Sequence, residues 1–398
     1  MKRASAQPDC TFRRGHETLA GVSFDYARRV RKAADRLAAE RLDGLVVTHL
    51  PNLLYLSGLE ATSAVGLLTR DARLFVLTDF RYSVELTRLA DASGGWLRAV
   101  MLDAATWAPA VARLVMAEGL TTLAVEGDSI TLGAAQRLQA ACREAGWPGE
   151  PVPSTGIVEA LRRVKDTGEL EILRDAGTRL SAVARAVLAD GIVAPGRTEQ
   201  DLAAEVDHRM RLAGFSRPAF DTIVASGPNS ALPHARPTTR RLEPGDAVVL
   251  DFGGVFRRYC VDLTRTQCVG GASPALERMF QAVSAGHAAA LRVLKPGVET
   301  HAVDGAARDL LTAAGLGEAF GHGTGHGLGL EVHEAPRLGK RRADAAPEPV
   351  LEPGVVCTIE PGAYVPGIGG IRIEDDAAIT PAGHELLTDV PLGWPSTH

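Results

Sequence analysis

Cysteine is scarce in this chain of 398 residues: there are five, at positions 10, 142, 260, 268 and 357, and no C-x-x-C pair. Being few, scattered and odd in number, they indicate free thiols in a reducing compartment rather than a disulfide framework. No stretch approaches the roughly 20 apolar residues of a membrane span. The first residues are basic but lack the apolar run of a secretory signal. We therefore predict a cytoplasmic protein without a membrane partner.

The chain also lacks the charge imbalance of a nucleic-acid-binding protein. Its 43 basic and 48 acidic residues leave a formal net charge of −5, a poor match for phosphate backbones. Hydrophobic residues make up 45% of the sequence, which excludes a largely disordered chain. We predict no nucleic-acid partner and, from the length, two domains.

Several familiar motifs are missing. His333-Glu334 and His384-Glu385 both lack the second histidine of an H-E-x-x-H zinc motif. The glycine-rich run 321–329 fits neither G-x-G-x-x-G nor a P-loop, and no G-x-S-x-G nucleophile elbow occurs. Nucleotide binding and these routes to hydrolysis are therefore disfavoured.

Hydrophobic periodicity divides the chain into parts. Residues 1–22 are polar and are predicted to form an N-terminal arm. In 23–156, short apolar runs alternate with helical patterns, which predicts an α/β domain. Residues 157–398 start with helices, one of them capped by Thr198, and end rich in strands over 319–333, 354–360 and 370–380. This order predicts an α+β domain.

Two aspartates interrupt apolar runs of the second domain. Asp251 ends the run Val248-Val-Leu-Asp, and Asp262 stands eleven residues later. A carboxylate in a buried strand costs several kcal/mol unless it is paired or coordinated. One such aspartate is most simply a salt-bridge partner or a strand-end cap, but two in adjacent strands would both need partners.

Glycine occupies every odd position from 321 to 329. If this segment is extended, its glycine face lets another backbone or a ligand approach closely. The opposite face then carries four side chains: His322, Thr324, His326 and Leu328. His333 follows, and a loop with merely solvated histidines is the alternative interpretation.

Two further acids lie near the end of the chain. Strand periodicity puts Thr358 and Glu360 on one face, and Arg372 and Glu374 on one face, where Arg372 could simply pair with Glu374. The inward-facing acids and one histidine form an oxygen-rich set: Asp251, Asp262, His326, Glu360 and Glu374. Such a set suits divalent transition metals. Two ions about 3.5–4 Å apart would balance the four carboxylates and can share a hydroxide for hydrolysis.

The run from His322 to Glu334, HGTGHGLGLEVHE, resembles the signature of proline-specific peptidases. They belong to the superfamily of aminopeptidase P, proline dipeptidase and methionine aminopeptidase, which has the pita-bread fold. Pro233-His234 matches the family's substrate-side histidine, and Asn52–Gly58 and Asp79–Tyr82 look like the family's N-terminal domain. The resemblance implies an α+β protein, with a creatinase-like α/β domain followed by a pita-bread catalytic domain.

The resemblance also implies a role for each metal ligand. Asp251 would bind one ion through both oxygens, His326 and Glu360 would bind mainly the other ion, and Asp262 and Glu374 would bridge the two. Mn²⁺ is the expected ion, with Co²⁺, Zn²⁺ and Fe²⁺ as alternatives.

Four residues would serve catalysis. Glu360 would also carry a proton from the attacking water to the leaving nitrogen, and His234 and His333 would stabilise the oxyanion. Arg372 would hold the site carboxylates or bind the carboxylate end of the substrate.

The charged segment 339–349 would be either a flap over the cleft or a plain surface loop.

The implied activity is that of an Xaa-Pro aminopeptidase, which cleaves proline-containing peptides after the N-terminal residue, in a homodimer. An Xaa-Pro dipeptidase is the alternative, slightly disfavoured because no basic residue is obviously dedicated to the carboxylate of a dipeptide. Creatinase-like hydrolysis and a metal-free pseudo-peptidase that only binds peptides would both be expected to show broken ligand sets.

Overall fold

The computed structural model describes residues 24–103, 106–341 and 350–394. The predicted arm at 1–22, which includes Cys10, and most of segment 339–349 lie outside the described residues. The four other cysteines are buried free thiols.

The first part of the chain is a single sheet covered by helices. Its elements are α1 Tyr26–Ala39, β1 Gly44–Val47, α2 Leu50–Ser57, β2 Ala64–Thr69, β3 Leu74–Thr78, α3 Ser83–Ala92, β4 Leu97–Met101, α4 Ala108–Ala117, β5 Leu123–Glu126, α5 Leu132–Glu144 and β6 Val152–Ser154. The strand order is β4-β3-β2-β1-β5-β6. Pairing is antiparallel between β1, β2 and β3 and parallel elsewhere. Hydrophobic clusters pack on both faces, which explains why the central strands are continuous apolar runs.

The second part places helices around antiparallel sheets. Its elements are α6 Glu159–Arg162, α7 Thr167–Ala189, α8 Glu199–Leu212, β7 Arg217–Pro218, β8 Ile223–Ser226, β9 Ala247–Phe256, β10 Tyr259–Cys268, α9 Pro274–Val293, α10 Thr300–Ala313, β11 Gly325–Gly327, β12 Glu334–Leu338, β13 Val356–Ile359, β14 Gly362–Val365, β15 Gly369–Arg372, β16 Asp375–Thr380 and β17 Gly383–Leu386. The predicted cap is present, because Thr198 and Asp201 form a capping box at α8. The predicted change of domain at 156–157 falls between β6 and α6.

Two sheets of this part converge on one another. The first contains β7, β8, β9 and β10, and the second has the order β12-β11-β13-β16-β17, while β14 pairs with β15. An isolated bridge between Thr264 of β10 and Glu374, just after β15, links these strands. The helix α7 packs on β9 and β10 and closes the core on the other side.

The glycine-rich segment is less extended than predicted. Only Gly325–Gly327 is strand, and within it the pairing with β12 shifts register between His326 and Gly327. The expected close approach is confirmed, since a Cβ on Gly325 would collide with the carbonyl of Thr358. The expectation that four side chains share one face is wrong. Thr324 donates to Asp304 of α10, and Leu328 joins the hydrophobic core.

Arg29 of α1 joins the two parts of the chain. It is 4% exposed, and its guanidinium donates to Asp166 Oδ2 (2.7 Å) and to the carbonyl of Tyr55 (3.1 Å). Glu169 Oε2 lies 3.3 Å from the same guanidinium. Burial raises the pKa of Glu169, and the charge of Arg29 opposes that rise. A buried carboxylate of α7 therefore depends on a cation from the first domain.

We expect Arg29→Ala to lower the free energy of unfolding by about 3–5 kcal/mol, because it leaves the buried carboxylate of Glu169 without its guanidinium partner. Urea denaturation followed by circular dichroism measures the change. Arg88→Ala, which breaks an exposed ion pair with Glu85, is the control and should cost no more than about 1 kcal/mol. Equal effects of the two substitutions would contradict this account of the domain contact.

Candidate active site

A cleft of about 910 Å³ opens where the two sheets of the second part meet. All of the residues predicted for the site line it: His234, Asp251, Asp262, His326, His333, Glu360, Arg372 and Glu374. They come from separate strands and loops, so the sheets rather than any local segment bring them together.

The register of β9 and β10 puts both aspartates on one face. Asp251 pairs directly with Thr264, and Asp262 precedes Thr264 by two residues. Directly paired residues of antiparallel strands project to the same face, as do residues two apart in one strand. Asp251, Asp262 and Thr264 therefore all project toward the cleft.

Three side chains present potential metal ligands to a common point. One ligand atom each from Asp262, His326 and Glu374 lies within 4.8 Å of the other two. Thr264 Oγ1 donates to Glu374 Oε2 (2.6 Å) and so fixes that carboxylate. Glu360 lies just beyond β13, with Oε1 3.6 Å from His326 Nε2.

The imidazole of His326 is prepared to act as a ligand. Its Nδ1 lies 3.1 Å from the carbonyl of Gly327, which can only accept, so Nδ1 carries the proton and Nε2 keeps its lone pair. Burial and the nearby His333 lower the pKa of His326 to about 4. The ring is therefore neutral at neutral pH, as a metal ligand must be.

The buried carboxylates need positive charge. Burial raises the pKa of Asp262 and of Glu374 well above the usual range, and neighbouring acids add to both shifts. Burial likewise raises the pKa of Glu360 to about 8. Within the described parts of the chain, no donor bonds to the buried atoms Asp251 Oδ1, Asp262 Oδ1 and Glu374 Oε1. This donor set fits divalent cations, which would both ligate these oxygens and offset their charge.

Arg372 does not pair with Glu374, the simpler possibility that its sequence position allowed. Its Nη2 donates to Asp251 Oδ2, and its Nε donates to Thr264 Oγ1 (3.2 Å). Its Nη1 donates to Tyr364 Oη (2.6 Å) and to the carbonyl of Pro233 (3.2 Å). The guanidinium thus ties a site carboxylate to the loop that carries His234.

Tyr364 of β14 was missed by the sequence analysis. Its hydroxyl accepts from Arg372 and lies 3.0 Å from His322 Nε2. Because His322 Nδ1 faces the carbonyl of Gly323, the Nε2 atom accepts from this hydroxyl. A single tyrosine in a short strand gives no sequence signal for such a bridging position.

Arg337 of β12 was also missed. It lines the cleft, is exposed, and pairs by register with His326 of the neighbouring strand β11. Its positive charge contributes to the lowered pKa of His333, after burial and His234. Counting alternate residues onward from His333 would have pointed to Arg337, because both line the cleft and stand two strand periods apart.

The segment before β12, which carries His333, is held by the first domain. Arg162 Nη2 donates to both Glu331 and Glu334 at 2.7 Å, and its Nη1 donates to Asn52 of α2 (2.7 Å). His49 Nε2 lies 2.9 Å from Glu331 Oε2. Burial alone would raise the pKa of Glu331, but His49 and Arg162 outweigh it and lower that pKa to about 2.

Family models match both parts of the chain. The model of metallopeptidase family M24 matches residues 171–381, and that of the creatinase/prolidase N-terminal domain matches residues 29–164. The chain belongs to metallopeptidase family M24. It is therefore a hydrolase with the predicted architecture, a creatinase-like N-terminal domain followed by a pita-bread domain.

Individual relatives extend this result over most of the chain. The uncharacterized peptidase YqhT of Bacillus subtilis is 36% identical over 88% of this chain and 94% of its own length. The structure of an Xaa-Pro dipeptidase from Bacillus anthracis is 36% identical, with a TM-score of 0.82 over 92% of this chain and 97% of that one. The X-Pro aminopeptidase of Thermotoga maritima is 30% identical, with a TM-score of 0.78 over 91% and 99%.

None of the helices within the described ranges has the length and apolar character needed to cross a bilayer.

We expect Thr264→Val to weaken binding of divalent metal by about 10- to 100-fold, because it removes the hydroxyl that orients Glu374. Isothermal titration of the metal-depleted protein with Mn²⁺ measures the affinity. Thr312→Val, which removes an exposed hydroxyl of α10, is the matched control. Unchanged affinity in a folded Thr264→Val protein would show that this hydroxyl does not support a metal ligand.

Proposed function

We propose that this protein is a metal-dependent exopeptidase that hydrolyses the bond between an N-terminal residue and proline. The observation that carries the proposal is the convergence of Asp262, His326 and Glu374 within 4.8 Å, in a cleft that Asp251 and Glu360 also line. These five residues would hold two divalent ions. Bound there, the ions would polarise the scissile carbonyl and lower the pKa of a water molecule.

The protein's own groups then have separate tasks. Glu360, at the edge of the ligand set, moves the proton from the attacking water to the leaving nitrogen. His234 and His333 donate hydrogen bonds to the carbonyl oxygen as it gains charge. Arg372 fixes Asp251 and the backbone of Pro233, so it links the ligands to the oxyanion side of the cleft.

Proline as the second residue suits a cleft of this kind. An Xaa-Pro bond is a tertiary amide without an N–H, and its ring holds φ near −65°. A site that recognises the free N-terminus and the proline ring does not require a hydrogen bond from the scissile nitrogen, which carries no hydrogen. Relatives named Xaa-Pro dipeptidase and X-Pro aminopeptidase support this substrate class.

The aminopeptidase and the dipeptidase are both versions of this proposal. Arg337 is the specific observation that favours the dipeptidase, because its exposed guanidinium in the cleft wall suits a carboxylate. It also removes the reason for preferring the aminopeptidase, which was the lack of such a basic residue. The aminopeptidase is supported by the size of the cleft, about 910 Å³, whose lining also includes Phe220, Asp221 and Arg236.

Mn²⁺ as the native ion, a homodimer and a cytoplasmic location stay predictions. The ligand set of four carboxylates and one imidazole supports Mn²⁺, because hard oxygen ligands suit that ion.

We expect hydrolysis of Gly-Pro in the presence of Mn²⁺, with loss of activity after treatment with a chelator. Gly-Pro-Pro and Arg-Pro-Pro, assayed under the same conditions, distinguish an aminopeptidase that accepts longer peptides from a dipeptidase. Asp262→Ala is the inactive control. Metal-independent cleavage, or no cleavage by protein with verified metal content, would contradict the peptidase proposal and favour a peptide-binding module.

We expect Arg337→Ala to lower kcat/KM for Gly-Pro at least about tenfold, because a charge-assisted contact worth about 1.5–3 kcal/mol is lost. Gly-Pro amide, which lacks the carboxylate, should be affected much less. The control is Arg31→Ala, which removes an exposed arginine of α1. Equal losses for the dipeptide and its amide would show that Arg337 does not bind the substrate carboxylate.

A further inference from the structure

One buried carboxylate holds both ends of a cleft loop. Glu199 of α8 is 0% exposed. Its Oε1 accepts from the backbone N and the hydroxyl of Ser226 (2.8 and 2.7 Å) and from Asn229 Nδ2 (3.0 Å). Its Oε2 accepts from the backbone N and the hydroxyl of Thr238 (2.9 and 2.6 Å). Both ends of the loop from Ser226 to Thr238 are thereby bonded to the same side chain.

This loop forms one wall of the substrate cleft. Residues 233–236, which include His234, line the cleft. The middle of the loop is bonded to β15. Ser230 Oγ accepts from the backbone N of Gly370 (2.8 Å), and Arg372 donates to the carbonyl of Pro233. His234 itself is exposed. Its position is therefore set by the loop backbone rather than by burial of its ring.

Helix capping does not explain Glu199. The capping box of α8 is made by Thr198 and Asp201, which bond to one another's backbone N–H groups. Glu199 instead turns its carboxylate to donors 27 to 39 residues away in sequence. Burial would raise its pKa, but the hydrogen bonds from Thr238 and Ser226 outweigh burial and lower it. The carboxylate is thus charged, and bonds to it are stronger than neutral ones.

We propose that Glu199 is a positioning residue: by fixing both ends of the 226–238 loop it sets the place of His234 over the reacting carbonyl. This inference rests on the proposed function, in which His234 stabilises the oxyanion. A displacement of about 1 Å at such a group can cost about 100-fold in rate. None of the hydrogen bonds of Glu199 involves a predicted metal ligand, so the effect is on catalysis and not on metal binding.

A double-mutant cycle tests the proposal with the full-length, Mn²⁺-loaded protein. The four proteins are the wild type, Glu199→Gln, His234→Ala and the double variant, assayed on Gly-Pro. The glutamine keeps the shape but replaces one acceptor oxygen with an NH₂ group, so one end of the loop is released. We expect Glu199→Gln to lower kcat about 10- to 100-fold with metal content unchanged, and to cause no further loss in the His234→Ala background.

Glu205→Gln is the matched control, since it makes the same substitution at a partly exposed position of α8, where Glu205 pairs with Arg209. It should leave kcat unchanged. Thermal melting of each variant verifies folding.

The possible results are distinguishable. A loss from Glu199→Gln that persists undiminished in the His234→Ala background would overturn the positioning role, because the damage would then be general. An unchanged kcat in folded Glu199→Gln would also overturn it, with the proposed function left intact. If His234→Ala alone had no effect on kcat, the assigned role of His234 would fail, and this inference with it.

Discussion

Three buried carboxylates and a fourth, partly buried one lie together between two antiparallel sheets, and the surrounding structure is arranged around the cost of keeping them there. Isolated ionised carboxylates in such an environment are strongly disfavoured. The raised pKa values of Asp262, Glu360 and Glu374 express that cost. Arg372 offsets part of it at Asp251, and Thr264 satisfies one oxygen of Glu374. The carboxylate oxygens that still lack a hydrogen-bond donor are the ones that divalent cations would ligate. Bound cations would therefore stabilise the buried charge and supply the metal chemistry at the same time.

Much of this arrangement follows from sequence because strand periodicity is a strict rule. Asp251 and Asp262 lie on neighbouring antiparallel strands joined by a tight turn, so their shared face could be predicted without knowing the rest of the fold. Placing His326 and Glu374 beside them could not be derived in that way. Strand periodicity could only group them as inward-facing residues, and the resemblance to a family supplied the rest, because the register between separate sheets is not encoded in any local pattern.

The wrong or missed assignments share a physical cause. Thr324 and Leu328 leave the expected face because they lie just outside the short strand β11, where Thr324 bonds to Asp304 and Leu328 packs into the core. Arg372, for which strand periodicity alone offered Glu374 as the simplest partner, bonds instead across to Asp251 of β9. In the sequence, Glu199 is an ordinary acidic residue of the first turn of a helix. Its role in holding the cleft loop depends on hydrogen-bond donors that lie 27 to 39 residues later in the chain. In each case a tertiary contact overrides the local pattern.

The catalytic domain does not hold its cleft unaided. The segment with His333 is tied through Glu331 and Glu334 to Arg162, which bonds in turn to Asn52 of the first domain. The loop with His234 is tied through Arg372 to the predicted ligand Asp251 and through Glu199 to α8. The two histidines assigned to the oxyanion thus stand on irregular segments, each anchored by a buried charged side chain. Irregular backbone needs such anchors, because it lacks the ladder of hydrogen bonds that fixes a strand or helix.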